Sequence, residues 1–79
     1  MEQKILRLPE LKSITGYARS TVYLYVENGL FPKPVKIGSR SVGWPSNEVL
    51  EIMKARISGQ NNNQIKELVS SLMASRLEA

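Results

Sequence analysis

At 79 residues the chain has room for one small domain and too little interior to enclose a large catalytic cavity beside its own core, which argues against an enzyme. Neither Cys nor His occurs, so disulfides, thiolate or imidazole nucleophiles and nearly all zinc sites are excluded, and no metal or cofactor is expected. Eleven Lys and Arg against seven Asp and Glu give a net charge of +4 and a pI of about 9.7, a balance that suits a polyanionic partner without identifying one.

The first element in chain order is a short helix from about Pro9 to Thr15. Pro9 suits the first helical turn, Leu8, Leu11 and Ile14 recur at helical spacing, and Gly16 closes the helix in a left-handed conformation. A second apolar set, Val22, Tyr25 and Val26, predicts a helix over about Ala18 to Asn28, stopped by Asn28-Gly29. Two short helices flanking a Gly at this spacing make a helix-turn-helix. With Val22, Tyr25 and Val26 turned inward, Arg19, Ser20 and Tyr23 share the outward face that enters a DNA major groove in such motifs.

The two prolines in Phe31-Pro32-Lys33-Pro34 break any helix and favour an extended path into Val35-Lys36-Ile37. Gly38-Ser39 is a natural turn, and Arg40, Val42 and Trp44 then share a period of two, which predicts a two-stranded wing. An isolated hairpin is marginal in water, so Val35 and Ile37, with Val42 or Trp44, are expected to lie against the helices, and Trp44 reads as core rather than as a ligand platform.

Ser46 is a candidate N-cap for a third helix, with Glu48 in its first turn. Val49, Leu50, Ile52, Met53 and Ile57 form the expected buried stripe, and Gly59 the stop. Gln60 to Gln64 is polar and Asn-rich, which reads as a linker. From Ile65 to Leu77 a final amphipathic helix follows, with Ile65, Leu68, Val69, Leu72, Met73 and Leu77 on one face. The predicted fold is mainly α: a winged helix-turn-helix with a small two-stranded β-hairpin wing and an extra C-terminal helix. The expected division is a DNA-binding domain over residues 5–59, then a linker and helix over 60–79.

The chain has no run of about eighteen apolar residues and no cationic, then apolar, leader, so the expectation is a soluble cytoplasmic protein, associated with the nucleoid if it binds DNA, with no membrane partner.

The DNA-facing candidates are Arg19, Ser20, Thr21 and Tyr23 at the start of the second helix, and Lys33, Lys36 and Arg40 around the wing. Arg19 is the side chain best shaped for bidentate contact with guanine. Arg40 would reach from the wing into the minor groove or along the backbone, helped by Lys36. Each has an unremarkable alternative as a solvated surface charge, and Ser20 and Thr21 also suit helix caps. Gly16 and Gly29 are backbone requirements rather than phosphate-cradling glycines, since neither stands in a Gly-rich loop.

Ile5-Leu6-Arg7-Leu8-Pro9-Glu10-Leu11, Thr15-Gly16, Arg19-Ser20-Thr21-Val22-Tyr23, the run Gly29 to Gly38, Arg40-Ser41-Val42-Gly43-Trp44 and Glu48-Val49 together resemble the AlpA family of prophage regulators, over about Ile5 to Gly59. The resemblance implies a small winged helix-turn-helix, related to MerR-type DNA-binding domains and phage excisionases, that acts on promoters and attachment sites of phages or genomic islands. Two departures stand out. Ala18 replaces a common capping Ser, so the second helix is expected to start late with Ser20 as its cap; Leu24 replaces a commonly basic residue.

Three functions follow as alternatives: a transcriptional regulator of a prophage or integrative element; an excisionase that bends attachment-site DNA for an integrase partner; or a protein-interaction module without DNA binding, which Arg19 and Arg40 argue against. All but the last take double-stranded DNA as partner. A single module covers only about 600–1,000 Å² on DNA, so adjacent copies or a homodimer through Ile65, Leu68, Val69 and Leu72 are also expected, the alternative being that this helix folds back to complete its own core.

Overall fold

In a computed structural model, which describes residues 4–77, a short strand β1 (Ile5–Leu6) leads into helix α1 (Leu8–Thr15). The backbone N–H of Arg7 donates to Glu10 Oε1 at 3.3 Å and Pro9 occupies the first turn. Gly16 ends α1 at φ 75°, and its N–H donates to the Lys12 carbonyl at 2.8 Å. Thr15 fixes the following turn: its hydroxyl donates to the Leu11 carbonyl at 2.8 Å and accepts the Tyr17 N–H at 3.1 Å.

Helix α2 spans Arg19–Glu27. It does not start late: Ala18 stands at the N-cap in extended backbone, no side chain caps the helix, and Ser20 lies within the first turn. The extended path after α2 enters β2 (Val35–Lys36), and β3 (Val42–Pro45) returns antiparallel to it, with Val35 opposite Gly43 and Lys36 opposite Val42. The expected hairpin is therefore present, and β1 adds a third strand on the other side of β3, pairing Ile5 with Pro45 and Leu6 with Trp44 in the order β1-β3-β2. Two residues are too few to show a period of two, so β1 left no signal in the alternation pattern. Gly43 is what allows this three-strand packing, because a Cβ there would collide with Ile5 Cγ2 and stand 3.0 Å from the Leu6 carbonyl.

Helix α3 (Ser46–Ile57) follows β3 without a loop. Its N-cap is Pro45 rather than Ser46; the Ser46 hydroxyl instead accepts the Lys4 N–H at 3.1 Å, while the Ser46 N–H donates to the Lys4 carbonyl at 2.7 Å. Helix α4 (Asn62–Arg76) begins sooner than expected, because Asn61 and Gln64 form a reciprocal cap: Asn61 Oδ1 accepts the Gln64 N–H and Gln64 Oε1 the Asn61 N–H, each at 2.9 Å. The asparagine-rich stretch expected as a linker thus nucleates a helix.

The core gathers Leu6, Leu11, Val22, Leu30, Phe31, Trp44, Val49, Ile52, Ala55, Ile65 and Val69. Trp44 is fully buried at its centre, as its apolar neighbours implied, and its indole N–H donates to the Pro32 carbonyl at 2.9 Å. Five expected core positions are exposed instead. Leu50 and Ile57 are seven residues apart on one side of α3, whereas the buried stripe runs through Val49, Ile52 and Ala55 on the other. Ile14 falls at the margin of the face set by Leu8 and Leu11, and Ile37 lies past the end of β2. Leu77, expected on the apolar face of the last helix, lies beyond the end of α4 and is also exposed.

Ile65 and Val69 are buried in this same core, and Leu68, Leu72 and Met73 pack against it half-buried. The surface expected to hold a second copy is therefore engaged within the chain.

Candidate nucleic-acid interface

Helix α2 divides as the spacing predicts. Val22 is fully buried, and Thr21, Tyr25 and Val26 are half-buried, while Arg19, Ser20, Tyr23, Leu24 and Glu27 are exposed. At about 100° per residue these five fall on one arc, so the outward face is continuous over the length of the helix. Leu24 and Glu27 thus share the face of the DNA-facing candidates Arg19, Ser20 and Tyr23. Leu24 supplies an apolar surface on this face, and Glu27 is a carboxylate that accepts hydrogen bonds and repels phosphate.

Ring packing sets the pose of this face. Tyr23 meets Trp44 edge-on, with centroids 6.1 Å apart at an interplanar angle of 64°, and the Arg19 guanidinium carbon lies 5.9 Å from the centroid of the Tyr23 ring. Arg19, Tyr23 and Trp44 thereby form a chain from the first turn of α2 to β3 of the wing. On the opposite side, Tyr17 stands edge-on to Tyr25 at 5.2 Å and to Phe31 at 6.3 Å, which ties the turn before α2 to the core.

The wing carries the other candidates. Lys36 is exposed in β2, and Arg40 is exposed in the turn that the Ile37 N–H closes by donating to the Ser41 carbonyl at 2.9 Å. Among the described residues none of Arg19, Lys33, Lys36 and Arg40 has an ion pair. Lys33 is exposed, and its backbone carbonyl accepts the Arg76 Nη2 at 2.7 Å. Ser20 and Thr21 make no capping bond, which leaves the exposed Ser20 hydroxyl open to solvent and Thr21 partly covered.

Three cations are engaged within the molecule rather than offered to a partner. Arg76 grips Glu48, its Nε donating to Oε2 at 2.9 Å and its Nη2 to Oε1, and Glu48 is only 4% exposed. Arg56 lies 5.7 Å from the centroid of Tyr25 and donates to Asn62 Oδ1 at 3.1 Å. Lys4 pairs with Glu10 at 2.9 Å across open surface. That contact, together with the Arg7 N–H, holds the Glu10 carboxyl below its ordinary value by favouring the charged form. The Glu48–Arg76 pair spans 28 residues, and no local spacing could have shown it; the one hint was a Glu beside Val49 at the head of an apolar stripe.

Among the described residues no cluster of Asp and Glu is placed to hold a metal, and no helix is long and apolar enough to cross a membrane.

Comparison with known proteins agrees with the resemblance carried by these residues. The family model for the prophage CP4-57 regulatory protein, AlpA, matches residues 4–57, from the head of β1 to the end of α3. The chain is 37% identical over 59 residues to a protein of Enterobacteria phage P4 named Uncharacterized protein ORF88, covering 75% of this chain and 67% of that one. It is also 37% identical over 59 residues to the DNA-binding transcriptional activator AlpA of Escherichia coli strain K12, covering 67% of this chain and 84% of that one. The chain belongs to the AlpA family of prophage regulators.

Proposed function

We propose that this AlpA-family chain is a sequence-specific regulator of transcription from a prophage or integrative element, acting on double-stranded DNA in the cytoplasm. Helix α2 enters the major groove with Arg19 paired bidentately to a guanine and Ser20, Thr21 and Tyr23 beside it on base edges and phosphates. The wing lies over the adjacent backbone or minor groove through Arg40, with Lys36 and Lys33 on phosphates. The carrying observation is the Arg19–Tyr23–Trp44 chain, which fixes the reading face of α2 against the wing strand β3. The name of the Escherichia coli relative supports the same reading.

Because one module covers little DNA, affinity comes from copies on adjacent half-sites, without exchange of α4 between them. Titration of a selected duplex and of random duplex with the protein and with Arg19→Ala tests the assignment. The variant should lose about 1–3 kcal/mol on the selected site and little on random DNA. Equal loss on both would make Arg19 a phosphate contact, and unchanged binding would remove α2 from the interface. An excisionase would use the same surface, and its mark is excision by a partner integrase that depends on this protein.

A further inference from the structure

Arg76 is one of the basic residues that make the chain cationic, yet its guanidinium points inward and joins three separate parts of the fold. It belongs to the last turn of α4. Its Nε and Nη2 fork onto the two carboxylate oxygens of Glu48, in the first turn of α3, and the same Nη2 donates to the Lys33 carbonyl at 2.7 Å. The Lys33 carbonyl lies between Pro32, whose own carbonyl holds the Trp44 indole, and Pro34, which leads into β2. Prolines have no N–H and a fixed φ, so the Pro32–Pro34 segment has few backbone bonds of its own with which to hold its path. All of α4 lies outside the matched residues 4–57.

We infer that Arg76 is a positioning residue for the wing: α4 fastens the Pro32–Pro34 segment to the head of α3 and so sets where Lys33 and Lys36 meet DNA. This inference rests on the DNA-binding reading given above. Three features of the chemistry support it. A guanidinium presents several N–H donors in one plane and can bond a carboxylate and a carbonyl at once, which a lysine ammonium cannot do in the same geometry. Glu48 is buried, so its charge demands that partner and holds the guanidinium in place. The anchored atom is a backbone carbonyl, so the Lys33 side chain stays exposed and free for phosphate while its main chain is held.

Arg76→Lys tests the inference, because it leaves Glu48 a cationic partner and so preserves the fold while loosening the Lys33 carbonyl. In the free protein, backbone amides over residues 33–37 should exchange faster with solvent, with α3 unchanged. On DNA, Lys33→Ala should weaken binding of the parent protein and flatten its salt dependence by about one unit. Arg76→Lys should weaken binding comparably, and Lys33→Ala added to it should do little more. Lys54→Ala, which removes an exposed charge from α3, should show no such coupling with Lys33→Ala. Full additivity of Arg76→Lys and Lys33→Ala, with unaltered exchange at residues 33–37, would overturn the inference. Faster exchange in Arg76→Lys, together with no DNA binding by the parent protein, would instead overturn the DNA-binding reading while leaving the anchor in place.

Discussion

Charged side chains in this domain divide between those paired inside the fold, such as Arg76 and Lys4, and those exposed without an ion pair among the described residues. Arg40 is of the second kind, and Arg40→Ala should weaken selected and random duplexes alike and flatten the slope of log affinity against log salt by about one unit; unchanged affinity and slope would take it out of the interface. Gly43 shows a different constraint. In most strands Gly→Ala is favourable, but here the added methyl meets Ile5 Cγ2, so Gly43→Ala should lower stability by about 1–3 kcal/mol in denaturant titrations. No loss would mean that β1 does not pack over β3 as described. Most of these single-residue assignments could be read from the sequence where they followed local spacing: the outward set Arg19, Ser20 and Tyr23 and the buried Trp44 are examples. Gly43 could not, since its neighbour in space, Ile5, lies far earlier in the chain, in a strand too short to leave a pattern.

At the level of elements, the helices were legible because periodicity and stop signals are local, whereas their ends depended on which group supplies the first bond. Ser46 looked like a cap and serves β1 instead, and Asn61 looked like a linker residue and proved to be a cap. The junction of β1 with α1 carries a pH signature. Glu10 has a folded pKa held below its unfolded value, chiefly by its hydrogen bond to Lys4, so its contribution is present above the ordinary carboxylate range and is lost as pH falls through the lowered folded value. Glu10→Gln should therefore lower stability above the carboxylate range, where the contribution is present, and so reduce the decline on going to acid. Raised salt should shrink the same decline in the parent, since the pair is exposed. A parent and variant with identical acid profiles would show that the Lys4 contact is not maintained in solution. Helix α4 is the element whose role was least legible, because an amphipathic stripe says that a face must be covered and not by what.

For the whole molecule, the question is whether α4 is part of the folding unit. Ile65 and Val69 are buried in the common core, and full burial of such side chains is worth about 1.5–3 kcal/mol each, against a typical domain stability of about 5–15 kcal/mol. A chain ending at Gly59 should accordingly lose cooperative thermal unfolding or unfold at much lower temperature. A truncated chain as stable as the parent would make α4 an appendage and would reopen its apolar face to a second copy. With α4 folded inward, the outward side of α2 and the wing carry Arg19, Lys33, Lys36 and Arg40, all exposed and without an ion pair among the described residues. The most direct test of that account is to capture genomic fragments with the purified protein and titrate the best fragment against random duplex across a range of salt. A selective site beside prophage or integrative-element genes, bound well above random DNA at every salt concentration, is the predicted result. Binding that is salt-sensitive but indifferent to sequence, or no binding at all, would contradict it.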